Sequence, residues 1–469
     1  PQIVRVIEPV AGLPRITIRF RPTHDYGRPI ENRALGSNHI RYWAGQTQLR
    51  LSTDAPLSYV ERESSFVLTR PLHMVFGSDE PFPAALAPTC REFLDKTRDY
   101  WREWVRRLNL SYDWQDAIIR SAITLKLSNF EETGGIVAAH TTSIPEAPGS
   151  RRNWDYRFCW LRDAYFVVKA LNRIGATRTM EDFILYILNL VSEEAEMIRP
   201  VYPIVPADPM DENIAENLKG FRGDGPVRVG NAAAMQAQHD TYGSVILAAM
   251  PMFFDRRLPQ MGDEALFGLL EVLGRKAGRL ALTPDAGIWE FRGRQRIHTH
   301  SVAMCWAGCN RLAAIAQQLG FVERANYWND VADRLHAAMM REAWNEKRKA
   351  FTAAFGSDDL DASVLLLQEL GVVEANDPRF ISTVAAMERE LLRGGRKIPA
   401  FVRFQPSLVR LARALRVGLR LCVRRMAPHR ARRDRDERGR GSQGPSHQEQ
   451  RYHTRSCDTL AACAAASSL

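Results

Sequence analysis

The apolar residues change their period once along this chain, and that change constrains the architecture most. Before about residue 88 they recur at every second position. In Arg15-Ile-Thr-Ile-Arg-Phe-Arg21, Ile16, Ile18 and Phe20 fall on one face of a strand. Leu49 and Leu51 alternate with Gln48 and Arg50, and Ser65-Phe-Val-Leu-Thr69 reads as another short strand. Turn formers separate the runs at Asp25-Tyr-Gly27, Gly36-Ser-Asn38 and Asp54-Ala-Pro56. Short strands at this spacing predict an antiparallel β-sandwich over residues 1–88. Its first strand begins almost at residue 1, so part of the sandwich is expected upstream.

Pro81, Pro83 and Pro88 then mark a linker, and 89–112 carries an amphipathic helix from Arg91 to Leu108 with Phe93, Tyr100, Trp101 and Trp104 as anchors. From Trp114 the period is helical. Ile118, Ala122 and Leu125 form one stripe, and Phe158, Leu161, Val168, Leu171 and Ile174 form another. Further helices are predicted near 179–192, 231–253, 263–279, 301–318, 321–340, 361–370 and 378–393. Long loops at 134–154, 199–230 and 280–300 hold the unusual polar and aromatic residues, as functional loops do. Helices joined by alternating short and long loops predict a helical toroid over 113–395 whose long loops share one rim.

The toroid is expected to be incomplete at its C-terminal end. After Lys397 the sequence changes character: Arg410, Arg413, Arg416, Arg420, Arg424 and Arg425 punctuate apolar residues, and 441–450 is polar and low in complexity. Two readings apply to 396–469. One is a basic arm for nucleic acid or acidic lipid; the favoured one is a segment unrelated to the fold, of the kind a reading-frame change produces. Much of the net charge of +10 lies in Arg403–Arg440, so it describes this tail and not the body, and the body is read as binding no nucleic acid. No run of about 18 apolar residues marks a membrane span. The seven cysteines are scattered, and Cys305 and Cys309 suit neither a disulfide nor a metal, so free thiols in a reducing cytoplasm are expected.

Chemistry concentrates in Pro284–Ser301. Glu290 sits between Trp289 and Phe291, where partial desolvation is expected to raise its pKa toward that of a proton donor. Trp289 offers a flat face suited to a sugar ring. The alternative is a loop Glu paired to Arg292 or Arg294. His298 and His300 alternate, but a metal would need a third ligand and none suggests itself.

Three blocks resemble glycoside hydrolase family 15, which holds glucoamylases, dextran-cleaving enzymes and bacterial trehalases. They are Asn153-Trp-Asp-Tyr-Arg-Phe-Cys-Trp-Leu-Arg-Asp-Ala164, Pro226-Val-Arg-Val-Gly-Asn-Ala232 and Gly287-Ile-Trp-Glu-Phe-Arg-Gly293. Gly134–Glu146 and Ser357-Asp-Asp-Leu-Asp-Ala-Ser363 also fit, and the resemblance covers roughly 15–395. It implies an N-terminal β-sandwich followed by an (α/α)6 barrel, and inverting hydrolysis of α-glucosidic bonds in trehalose or at non-reducing ends. It implies Glu290 as general acid and Trp289 as an aromatic wall. It also implies that Arg162 and Asp163 bind the terminal glucose, with Arg162 holding Asp163 ionised. Trp154 and Trp160 would line the pocket, and Asn231, Gln238 and Asp240 would reach the same rim, unless they serve only capping and helix packing. The partner implied is a small carbohydrate. No cofactor is expected, although a phosphate or Mg2+ near Arg292, Arg294 and Arg296 is carried as a minor option.

One part of the family pattern is missing. Inversion needs a second carboxylate, and the family's aromatic-rich block around its general base has no counterpart after Gly395. Asp434, Asp436, Glu437, Glu449 and Asp458 all sit in polar, low-complexity surroundings, so the general base is unassigned. The alternative reading is therefore a catalytically incomplete homologue that at most binds glucosides.

Overall fold

The computed structural model describes residues 2–193, 198–205 and 208–391. It divides into two compact units: residues 1–108 with 143–153 and 213–228, and the remaining helical part. The carboxylates considered above in the tail lie outside the described residues.

In the first unit a five-stranded antiparallel sheet runs in the order Ile3–Ile7, Leu72–Ser78, Thr47–Thr53, His39–Ala44, Arg33–Leu35. The predicted alternation sets its register: Ile40 pairs with Leu51 and Tyr42 with Leu49, while Arg41 between them faces solvent. Ile40, Tyr42, Leu51, Leu72 and Met74 form the core with Ile18, Val60 and Leu68. The predicted strand over 15–21 pairs only at Arg15–Ile16, against Phe66–Val67. Its apolar face is nevertheless used, since Ile18 is buried and the Phe20 ring lies 5.6 Å from that of Tyr42 and 5.0 Å from that of Phe76. Burial of the alternating face, not length of ladder, is what the sequence pattern encoded.

The helices are α1 (Leu57–Glu61), α2 (Leu86–Arg106), α3 (Gln115–Leu127), α4 (Leu161–Arg173), α5 (Thr177–Glu193), α6 (Asp240–Ala249), α7 (Pro251–Phe254), α8 (Glu264–Leu280), α9 (Thr299–Gln318), α10 (Val322–Glu342), α11 (Leu366–Leu370) and α12 (Pro378–Leu391). Helix α2 starts five residues before the expected Arg91, because Pro88 falls in its first turn, where a missing N–H costs nothing.

Helix α9 is the centre of the second unit and packs on α6, α8 and α10. It is buried almost all round over Thr299–Cys309. Its approach to α6 depends on glycine. A Cβ on Gly243 would stand 2.0 Å from the Met304 carbonyl oxygen, and one on Gly308 would meet the Gly243 Cα at 3.2 Å. This close crossing sets the first turn of α6 beside the first turn of α9.

The helix predicted over 231–253 is broken. A 3-10 turn covers Ala232–Met235, the chain then extends, and α6 begins only at Asp240. Alanine, methionine and glutamine all favour helix, so propensity gave no warning. The break is imposed from outside: Ala286 N donates to the Ala237 carbonyl at 2.9 Å, and Asn231 caps the short turn by accepting from Ala233 N. Among the described residues Cys90, Cys159, Cys305 and Cys309 are buried free thiols, and no helix is long and apolar enough to cross a membrane.

Candidate active site

The loop carrying Glu290 is closed at its neck. Asp285 N donates to the Arg296 carbonyl at 2.9 Å and Arg296 N returns a bond to Asp285 at 3.0 Å. Inside the loop, Gly287 and Glu290 both adopt positive φ, at 68° and 55°. Gly287 has no alternative, because a Cβ there would stand 2.5 Å from the His298 ring. Glu290 holds the left-handed conformation without being glycine, a local strain of the kind found at sites over-determined by their surroundings.

Those surroundings are visible. Glu290 Oε1 accepts from Trp160 Nε1 at 2.5 Å, from Gln238 Nε2 at 3.2 Å and from Arg162 Nη2 at 3.4 Å. The Glu290 carbonyl accepts from Gln236 Nε2 at 3.2 Å. All the side-chain donors address one carboxylate oxygen. Arg292 and Arg294, its neighbours in the chain, go elsewhere. Arg292 bonds Glu212 at 2.7 Å and lies 4.1 Å over the Trp154 ring, while Arg294 and Arg296 both turn to Asp359.

The resemblance implies Trp160 as a pocket wall. It is only 2% exposed and acts as a hydrogen-bond donor. It is fixed by the ladder Cys159–Trp160 with Val201–Tyr202 and packs on Phe158, Ala233 and Ala234. Trp154 and Trp289 are half-buried.

Trp160 also precedes α4, so Arg162 and Asp163 occupy that helix's first turn. Arg162 Nη1 donates to Gln238 at 2.8 Å and to Asp240 at 3.0 Å, whereas its Nε is 3.7 Å from Asp163. The guanidinium is thus committed first to Asp240, across to the first turn of α6, and only second to the neighbouring Asp163. Burial works against charge on Arg162, but Asp240, Asp163 and Glu290 together outweigh it. Burial alone would raise Asp240, yet Arg162 and His300 hold it below the usual carboxylate range. Asp163 is different: burial pushes it up to about 7, Arg162 opposes, and the negative Glu290 and Asp240 add to the rise.

That contrast has a testable consequence. A carboxyl whose folded pKa is about 7 and whose unfolded value is near 3.9 loses stability as pH rises between the two, and the cost is complete above 7. Asp163→Asn removes it. The variant is expected to be more stable than wild type at pH 8 by on the order of 2 kcal/mol, with the advantage gone at pH 4. Urea melts at the two pH values check this; equal differences at both would overturn it.

Asp285 is a further buried carboxylate. Asp285 Oδ2 accepts from His239 N at 2.9 Å and from Ser301 Oγ at 2.7 Å, tying α6 to α9, and burial raises its pKa to about 6. His300 is buried beside Asp240, with Nδ1 3.9 Å from Oδ2, and burial lowers it to about 4. Neither ring nitrogen of His300 has a hydrogen-bond partner among the described residues. No group of three or more metal-ligating side chains occurs among the described residues.

The sequence blocks that looked separate meet here. Asp155, from the 153–164 block, accepts from Gly230 N, and its carbonyl accepts from Asn231 Nδ2 of the 226–232 block. Gln236, Asp285 and Asp361 were not foreseen. Gln236 and Gln238 carried a usable signal, since alternate residues of an extended segment point the same way.

The chain belongs to glycosyl hydrolases family 15, whose model matches residues 113–414. The chain is 32% identical to a trehalase of Thermoplasma acidophilum over 407 residues, covering 84% of this chain and 68% of that one. It is 33% identical to a trehalase of Mycobacterium tuberculosis over 304 residues, covering 64% and 44%. Among solved structures, a bacterial glucoamylase complexed with acarbose shares the fold with a TM-score of 0.54 at 18% identity, over 75% of this chain and 57% of that one. The chain therefore spans between 44% and 68% of the length of these relatives.

Proposed function

We propose that this chain is an inverting hydrolase of α-glucosidic bonds, with Glu290 as general acid and trehalose as its first candidate substrate. The observation that carries the reading is the convergence of Trp160, Gln238 and Arg162 on Glu290 Oε1. Donors confined to one oxygen leave Oε2 to hold the proton and present it to a glycosidic oxygen. Arg162 and Asp163 would bind the hydroxyls of the terminal glucose, with buried Asp240 holding the Arg162 guanidinium in place and Trp289 as an apolar face. The described helices would form part of an (α/α)6 barrel. The relatives named as trehalases favour trehalose over maltose and isomaltose.

The reading calls for no cofactor, since the acid supplies the proton and a second carboxylate would activate water roughly 6.5–9.5 Å away. The test is incubation of the purified protein with trehalose, maltose and isomaltose, following the anomeric protons of released glucose by NMR. Initial β-glucose from trehalose is expected. Initial release of α-glucose alone would overturn inversion, and no release from any of the three would favour a homologue that only binds glucosides.

A further inference from the structure

We propose that Asp361 is a positioning residue for this site: it fixes the orientation of Trp289, the aromatic neighbour of the acid. The inference rests on the reading of Glu290 given above. Trp289 Nε1 donates to Asp361 Oδ2 at 2.5 Å. An indole has one N–H, so a single acceptor sets the direction of the ring edge and with it the plane of its face. Asp361 is only 3% exposed, which keeps water from competing as acceptor.

The acceptor is itself anchored. Asp361 Oδ1 accepts from Ser363 N at 2.8 Å and caps the 3-10 turn Ala362–Leu365, which runs directly into α11 and packs with it on α9. The two carboxylate oxygens therefore do different things. One stabilises a turn; the other reaches into the acid loop, 72 positions away in sequence. The loop neck is held by Asp285 and Arg296 and the Glu290 carboxylate by Trp160, Gln238 and Arg162, but these bonds leave the Trp289 ring free to turn. Asp361 supplies the missing restraint. It ties the 357–363 block to Trp289, while Ser357 and Asp359 of the same block bond Arg296.

Asp361→Asn separates the two oxygens. The Asn carbonyl can still cap Ser363 N, while its amide presents a second donor to the indole N–H and cannot accept it. The full chain is compared in four forms: wild type, Asp361→Asn, Trp289→Phe and the double variant. Each is labelled with 5-fluorotryptophan, and the Trp289 resonance is assigned by its absence in Trp289→Phe. In Asp361→Asn that resonance is expected to shift or broaden while Tm stays within a few degrees. The kcat/KM for the cleaved disaccharide is expected to fall roughly 10- to 100-fold, as a misplaced positioning group costs. In the Trp289→Phe background the same substitution should change kcat/KM less than about twofold, because coupling through the indole is then gone.

An unmoved Trp289 resonance in Asp361→Asn overturns the proposal. So does an equal loss in the Trp289→Phe background, which would route Asp361 through another group. A wild type that releases no glucose overturns the hydrolase reading and the catalytic consequence with it, while the fluorine spectrum still decides whether Asp361 orients Trp289.

Discussion

Glu290→Gln is expected to lower kcat on the cleaved disaccharide by about 10²–10⁴-fold while leaving Tm and KM nearly unchanged. The geometry makes this substitution unusually clean. Trp160, Gln238 and Arg162 all donate to Oε1, and a glutamine carbonyl accepts from the same three donors. The amide nitrogen then replaces Oε2, the oxygen with no protein hydrogen bond among the described residues. Packing and loop conformation are retained, and only the transferable proton is lost. A second substrate sharpens the test. α-Glucosyl fluoride has a leaving group that needs little protonation, so the variant should lose far less on it than on a disaccharide. Equal losses on both, or disaccharide turnover within about threefold of wild type, would remove Glu290 from the acid role.

Glu290 was legible in the sequence as a candidate because its local chemistry is: a single carboxylate between two aromatic residues in a glycine-bearing loop. Its partners were not. Trp160 and Arg162 lie 130 and 128 positions away and Gln238 lies 52 positions away, so no local pattern connects them to Glu290. Proximity in the chain suggested Arg292 and Arg294 instead. The structure sends both to other carboxylates, Glu212 and Asp359.

The same limit explains the helix predicted over 231–253. The alanine, methionine and glutamine residues around its break favour helix individually, and a backbone hydrogen bond from Ala286 to Ala237 breaks it. That break is functional in its consequence, since it frees Gln236 and Gln238 to turn toward Glu290. Strand alternation at 48–51 and the stripe of α4 were readable because period and burial coincide there. Site geometry was readable only as composition, because it is assembled from a loop, an extended segment and the first turns of helices whose order in space the sequence does not state.

Arg162 shows what that assembly costs when one member is removed. Arg162→Met is expected to destabilise the protein by about 3–5 kcal/mol, which for a domain this size lowers Tm by roughly 10 °C. Asp240 is the reason. It is fully buried, its Oδ1 already lacks a hydrogen-bond partner among the described residues, and its nearest cation is Arg162 at 3.0 Å. Without the guanidinium, an uncompensated carboxylate remains between two helix N-termini, with Asp163 and Glu290 adding repulsion. The imidazoles nearby, His239 and His300, are poor replacements, because burial lowers both, His300 to about 4. The double variant Arg162→Met/Asp240→Leu removes both buried charges together and should recover most of the lost stability, because an apolar pair of similar volume is often neutral relative to a buried ion pair. Activity should be absent in both variants, since the groups proposed to grip the glucose are gone. Chemical denaturation of the single and double variants measures the coupling directly. If Arg162→Met alone melts within about 1 kcal/mol of wild type, Arg162 holds no such charge in place, and its role is confined to the ligand.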